Sequence, residues 1–203
     1  INKASGTCSL TSNFTISGAS NNLTINNGEM IISGFNLTVP NLFTVKGKLT
    51  LLGTETVTVS GSSVGHANFT FPTGSTVEFT GAGTATLTNY SKTFYNVILG
   101  ASKTHEIATG VGNGITVNGT LSSAGTSGTQ SILRSVSNAA VAWELTLLGY
   151  SILDDKVNVK YSNAGTATGL PVYAVGSTDS GNNVNWFFST YPAFTWIGTT
   201  NSW

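Results

Sequence analysis

Few side chains in this chain could do chemistry, and their spacing decides how much. There are eight carboxylates in 203 residues. Hydrolysis of a glycosidic bond takes two of them facing each other across the bond, one held protonated. Only Asp154 and Asp155 are adjacent. Neighbours along a strand point to opposite faces, so this pair shares a cleft only where the backbone bulges. The simplest reading is a solvated turn leading into Val157. By spacing, neither His66 nor His105 has an acid partner to orient it as a general base; Glu106 adjoins His105, but strand neighbours point to opposite faces. The run Asp179-Ser180-Gly181-Asn182-Asn183 is rich in oxygens for calcium, but a single carboxylate binds the ion weakly. Asn and Asp also tolerate the left-handed backbone of a tight corner, which accounts for the run without a metal. Lys46 and Lys48, with Glu55 and Glu78 downstream, could supply the lysine and the acid of an intramolecular Lys–Asn amide bond. That bond needs the groups buried together, whereas Lys and Glu normally stay in water. Tyr150, Tyr161, Tyr173 and Tyr191 offer ring faces to a sugar, although strand aromatics more often pack in a core or an interface. On these grounds the chain is read as not an enzyme, with no catalytic residue, no cofactor and no metal.

The surroundings of these residues are nearly uncharged. Charged residues make up 8% of the chain and the formal net charge is zero, against about 25% charged in an ordinary soluble domain. Arg134 is the only arginine and the lysines are scattered. No basic stripe exists to neutralise phosphates, so nucleic acid is excluded as the expected partner. No run of 18 apolar residues occurs, so no helical membrane span is expected. Cys8 is alone, which leaves no internal disulfide and no thiolate metal site; a buried free thiol is the expectation. Six Asn-x-Ser/Thr sequons, at Asn13, Asn22, Asn36, Asn68, Asn89 and Asn118, match the number that chance gives in a chain this rich in Asn, Ser and Thr. The first residues, Ile1-Asn2-Lys3-Ala4, hold neither an initiator Met nor a signal-peptide core, as expected of a mature product or a fragment.

The elements that position these groups announce themselves as a repeat. Between residues 22 and 59 the pattern apolar–Thr–apolar recurs: Leu23-Thr24-Ile25, Leu37-Thr38-Val39, Phe43-Thr44-Val45, Leu49-Thr50-Leu51 and Val57-Thr58-Val59. In a strand each triplet sends two apolar groups to one face and its Thr to the other. A strand of three residues buries little alone. Three of them make a coil of about 20 residues, and coils stacked on one another share a continuous core. Phe14-Thr15-Ile16, Phe69-Thr70-Phe71, Val77-Glu78-Phe79, Ile115-Thr116-Val117, Val157-Asn158-Val159 and 172–175 extend the pattern, and Trp186-Phe187-Phe188 closes it. The stretch 94–99 reads as the strongest single strand, 80–88 as a tight corner and 122–129 as a loop. No helical periodicity runs for a dozen residues.

The later part resembles a known unit. Ile132-Leu133-Arg134-Ser135, Trp143-Glu144-Leu145, the run 155–164 and the run 177–186 are similar to the closing part of a repeat found in large bacterial surface proteins of right-handed parallel β-helix, pectate-lyase-like architecture. Thr93-Phe94-Tyr95-Asn96-Val97 and 115–121 resemble its middle, and Phe194-Thr195-Trp196-Ile197-Gly198 with Ser202-Trp203 resembles the opening of a next unit. The resemblance covers roughly half the chain and implies adhesin-like, sheath-like or filament proteins of the cell surface. Lyases of that architecture use clustered acids for calcium and an Arg or Lys base. This chain has no Arg-x-Lys or Gly-His-Gly motif.

The expectation is therefore an all-β protein: a right-handed parallel β-helix over residues 1–188, followed by a C-terminal extension, 189–203, that links to the next repeat or subunit. The alternative fold is a pilin-like β-sandwich with antiparallel pairing. The expected function is a structural subunit of an extracellular, cell-surface filament, sheath or adhesive array, with copies of itself as head-to-tail partners and glycan as a second candidate partner. The expected subunit interface is Tyr191, Phe194, Trp196, Ile197 and Trp203, five large apolar groups on a short segment. The alternative function is a carbohydrate-binding module or an inactive polysaccharide-enzyme-like β-helix.

Overall fold

Leu37-Thr38-Val39 shows how one triplet becomes part of a wall. Leu37 and Val39 are fully buried while Thr38 looks outward. Leu37 pairs in parallel with Val57, Val57 with Val77 and Val77 with Val97, a step of 20 residues each time. The computed structural model describes residues 1–61, 63–65, 69–87, 92–110 and 113–190, with backbone alone at 2–5, 63–65, 69–70 and 92. Among the described residues 25 strands follow one another around three faces, in rotation as far as Thr178–Asp179, after which Trp186–Phe187 returns to the second face, giving eight coils and part of a ninth.

The first face runs from Asn2–Ser9 to Ser162–Thr166, the second from Phe14–Thr15 to Trp186–Phe187, and the third from Leu23–Ile25 to Thr178–Asp179. Every strand pairing is parallel, and one isolated bridge, Thr109 to Trp143, is antiparallel. This is a parallel β-solenoid, and the antiparallel sandwich is set aside. No α-helix occurs among the described residues; one 3-10 turn spans Val136–Asn138.

The core is the axis of the solenoid, where buried residues from all three faces meet. Each Leu, Ile or Val withdrawn from water there contributes roughly 1.5–3 kcal/mol. The corners are set by close stacking of backbone on backbone. A Cβ added at Gly61 would lie 2.5 Å from the Cα of Asn41 in the coil beneath, so the corner closes only without a side chain.

Three sequence readings change in detail. The stretch 94–99 is two strands, Lys92–Phe94 and Asn96–Leu99, joined by a corner at Tyr95. Phe94 and Val97 both point inward, three residues apart, and that break in the period of two is the corner. The stretch 80–88 is mostly strand, Gly83–Leu87, because Ala85 and Leu87 are buried while the threonines between face out. In 122–129, Ser122 and Ser123 end the strand Thr120–Ser123 before the loop begins. Coils in the middle of the chain lengthen, as Leu121 pairing with Ser151 shows, with the added residues in the corners as loops, and the last coils shorten again, as Asn158 pairing with Thr178 shows.

Candidate functional site

Several carboxylates are tied into the coils by hydrogen bonds to backbone N–H groups. Asp154, Asp155 and Lys156 form a turn, as expected, but Asp154 is not simply solvated. Its Oδ1 accepts the backbone N–H of Val175 in the next coil at 2.9 Å. Asp155 has a left-handed backbone (φ 59), and its carboxylate lies where a Cβ on Gly176 would sit. Asp179 Oδ1 accepts the N–H of Gly181 at 2.8 Å and the amide of Asn183 at 2.6 Å, closing its own corner. Among the described residues no group of three or more His, Cys, Asp or Glu could hold a metal.

The lysines singled out by sequence are in water: Lys46 and Lys48 are exposed, and Lys48 pairs with Glu29 at 2.8 Å. The buried charges are others. Glu55 is 1% exposed and accepts from Gly34 N–H at 2.8 Å, Leu52 N–H at 3.0 Å and Gly53 N–H at 2.7 Å. Burial pushes its pKa up, but these backbone donors outweigh that, and the carboxyl is held below its ordinary value.

Lys103 and His105 lie inside the solenoid, a placement sequence reasoning missed. The strand Lys103–Ile107 alternates buried and half-exposed residues, with Lys103, His105 and Ile107 facing the axis. Gly83 and Ala85 stand beneath Lys103 and His105, and their small size leaves room for longer side chains. Lys103 Nζ donates to Ser60 O at 2.8 Å, and burial lowers its pKa. His105 rests edge-on against Phe79, ring centres 5.3 Å apart, and neither ring nitrogen has a hydrogen-bond partner. Burial first and the Lys103 charge second push its pKa down to about 3. The signal was present in the 20-residue register, which sets His105 over Ala85 on an inward position. His66 lies outside the described residues.

Above this pair a column of hydroxyls lines the inner corner between the second and third faces. Ser131 Oγ donates to Gly100 O at 2.7 Å and shares a 2.6 Å hydrogen bond with Ser123 Oγ, while Ser177 Oγ donates to Leu153 O at 2.7 Å. These groups are buried and hydrogen-bonded.

The outside is more informative. On the second face the outward positions of successive coils are Thr38, Thr58, Glu78, Ile98, Ser122 and Ile152. The hydrogen bond from Asp155 N–H to Val175 O extends this register and places Tyr173 next, and Tyr173 pairs with Phe187. The Tyr173 and Phe187 rings lie 5.3 Å apart, and both are exposed. Tyr150, at the start of its strand, is 62% exposed. Between Tyr150 and Tyr173 opens a groove of about 260 Å³. A second depression of about 230 Å³, between Arg134 and Lys160 on the third face, has its Arg134 bound to Glu106 at 2.8 Å.

Of the four tyrosines read as possible platforms, Tyr150 and Tyr173 share one groove and Tyr161 lies under the Lys160 amine, 4.9 Å from its ring centre. Tyr191, Phe194, Trp196, Ile197 and Trp203, the expected subunit interface, lie outside the described residues. Cys8 is free, and it is half-exposed in the outermost coil rather than buried, because only the coil of Met30 covers it on one side. No helix among the described residues is long and apolar enough to cross a membrane. Compared with known proteins, the chain matches no family model, no curated protein and no solved structure.

Proposed function

We propose that this chain is a structural element of an extracellular filament, sheath or adhesive surface array, joined copy to copy through its coil ends and through residues 189–203. The observation that carries the reading is the first coil. Among the described residues its strands Asn2–Ser9, Phe14–Thr15 and Leu23–Ile25 each have a hydrogen-bonded neighbour on one side only. Phe14 is 42% exposed there, and Ile1, Leu10 and Ile16 are only partly covered. A row of unpaired backbone donors and acceptors over apolar side chains is a template for another strand or coil. A contact between one end of a copy and the other end of the next is heterologous, so it repeats without closing and yields a fibre. The neutral surface, with zero formal charge, lets copies approach without repulsion.

The test is electron microscopy of the purified chain. Coils spaced about 4.8 Å apart make eight or so coils rise roughly 40 Å, so filaments with an axial repeat near that length are expected. Dispersed particles at all concentrations and salt conditions would overturn the proposal.

A further inference from the structure

We propose that the groove between Tyr150 and Tyr173 binds one uncharged sugar ring, stacked against the tyrosines, independently of how copies assemble. The groove arises from the coil path. In the eighth coil the chain leaves the strand Ser162–Thr166 and crosses to the strand Val172–Tyr173 through a turn that stands proud of the corner below. The floor is apolar and closed: Leu147 and Val172 are 2% and 1% exposed. The rim carries the two tyrosine rings and the hydroxyls of Thr166 and Thr168. Thr166 Oγ1 donates to Leu170 O at 2.6 Å and lies 3.2 Å from Thr168 Oγ1, which fixes the turn and holds the Thr168 hydroxyl at the opening.

Three properties select the ligand. The lining holds no Asp, Glu, Lys, Arg or His, so a charged ligand would shed water without meeting an opposite charge. Ring faces beside hydroxyls match a pyranose, whose axial C–H groups form an apolar face and whose edge carries O–H groups. Neither tyrosine phenol O–H is hydrogen-bonded to another described residue, so both are available to that edge. At about 260 Å³ the space is at the small end for ligand sites, which run from roughly 300 to 1,000 Å³. It suits one ring, such as the end of a glycan. Elsewhere on this face the outward positions are mostly Thr, Ser or Glu, and the change to aromatic residues is confined to the last coils.

The experiment is saturation-transfer NMR on the full chain with the methyl pyranosides of glucose, galactose, mannose and N-acetylglucosamine. Transfer to the axial protons of at least one sugar is expected, at millimolar affinity. Tyr150→Ala and Tyr173→Ala should each weaken it about threefold to tenfold, with circular dichroism unchanged. Tyr161→Ala, outside the groove, should leave it intact, and Thr168→Val should weaken it without touching the rings. Absence of transfer to every sugar overturns the proposal. So does transfer that survives both tyrosine changes, or stronger binding of the matching uronic acids. Concentration-dependent association that Tyr173→Ala abolishes, with no sugar bound, would assign the groove to a second copy and overturn it equally.

Discussion

His105 sets the acid response of the molecule. Its ring is buried with both nitrogens unpartnered, so protonation in place would put a charge in an apolar axis already holding Lys103. The folded pKa of about 3 lies below the ordinary value of 6.5. The unfolded chain therefore binds the extra proton first, and stability falls as pH drops from about 6.5 toward 3. Glu55 acts in the same direction: its depressed carboxyl pKa means that its contribution, present above the unfolded value of 4.5, is lost as pH falls through the folded one. Lys103, also depressed, favours the fold more as pH rises toward its ordinary 10.5. Denaturant melts at pH 7 and pH 4 should differ by a few kcal/mol, and His105→Leu should remove most of that slope and raise stability at pH 4. An unchanged slope in His105→Leu would show that another group governs it. Glu55→Ala leaves three backbone donors without their acceptor and should cost about 2–4 kcal/mol. Asp154→Ala loses the bond to Val175 N–H between coils and should cost at least about 1 kcal/mol, read from the same melts.

Most of the strands were legible because one rule builds them. A triplet with apolar first and third residues fits the inward–outward–inward alternation, and its copy one coil later falls 20 residues on, as Val57 and Val77 do. The corners were less legible, since what decides them lies in the next coil. Asn22 Oδ1 accepts from Leu42 N–H at 3.1 Å and from the Asn41 amide at 3.0 Å, and Asn41 in turn lies directly under Gly61. From the sequence alone, Asn22 stands out only as one of the sequons. The inward Lys103 was missed for a related reason: a lysine is assigned to water unless its partner is known, and Ser60 lies 43 residues away. The groove tyrosines were visible as candidates, but their meeting depends on the register between their two coils, which the bond from Asp155 N–H to Val175 O sets. Gly61→Ala tests the corner rule. Its Cβ would meet Asn41 Cα, C and O at 2.5, 2.7 and 2.7 Å, all backbone atoms that yield only if two coils part. A loss of about 3 kcal/mol is expected in denaturant melts. A neutral Gly61→Ala would mean that the coils are not stacked in this register.

At the scale of the whole molecule, stability is a chain of coil-to-coil contacts, and the proposed assembly turns on the two end coils. Among the described residues no strand pairs with the outer edge of the first coil on any of the three faces. At the other end stand the exposed rings of Tyr173 and Phe187, and beyond the described residues come Tyr191, Phe194, Trp196, Ile197 and Trp203. Burying each such side chain contributes roughly 1.5–3 kcal/mol, which gives this segment a strong drive toward some apolar surface. Two arrangements satisfy it: return over its own last coil, or contact with another copy. The second also satisfies the open first coil, because a strand added to that edge completes its hydrogen bonds. Deleting residues 189–203 separates the two. If the segment links copies, the shortened chain should run as a monomer in sedimentation while its circular dichroism keeps the same strand signal and its melting point moves little. A return over its own coil predicts the opposite, a lowered melting point and greater aggregation, because the last coil loses its cover. Filaments that persist after the deletion would remove this segment from the joint and leave the coil ends alone to carry assembly.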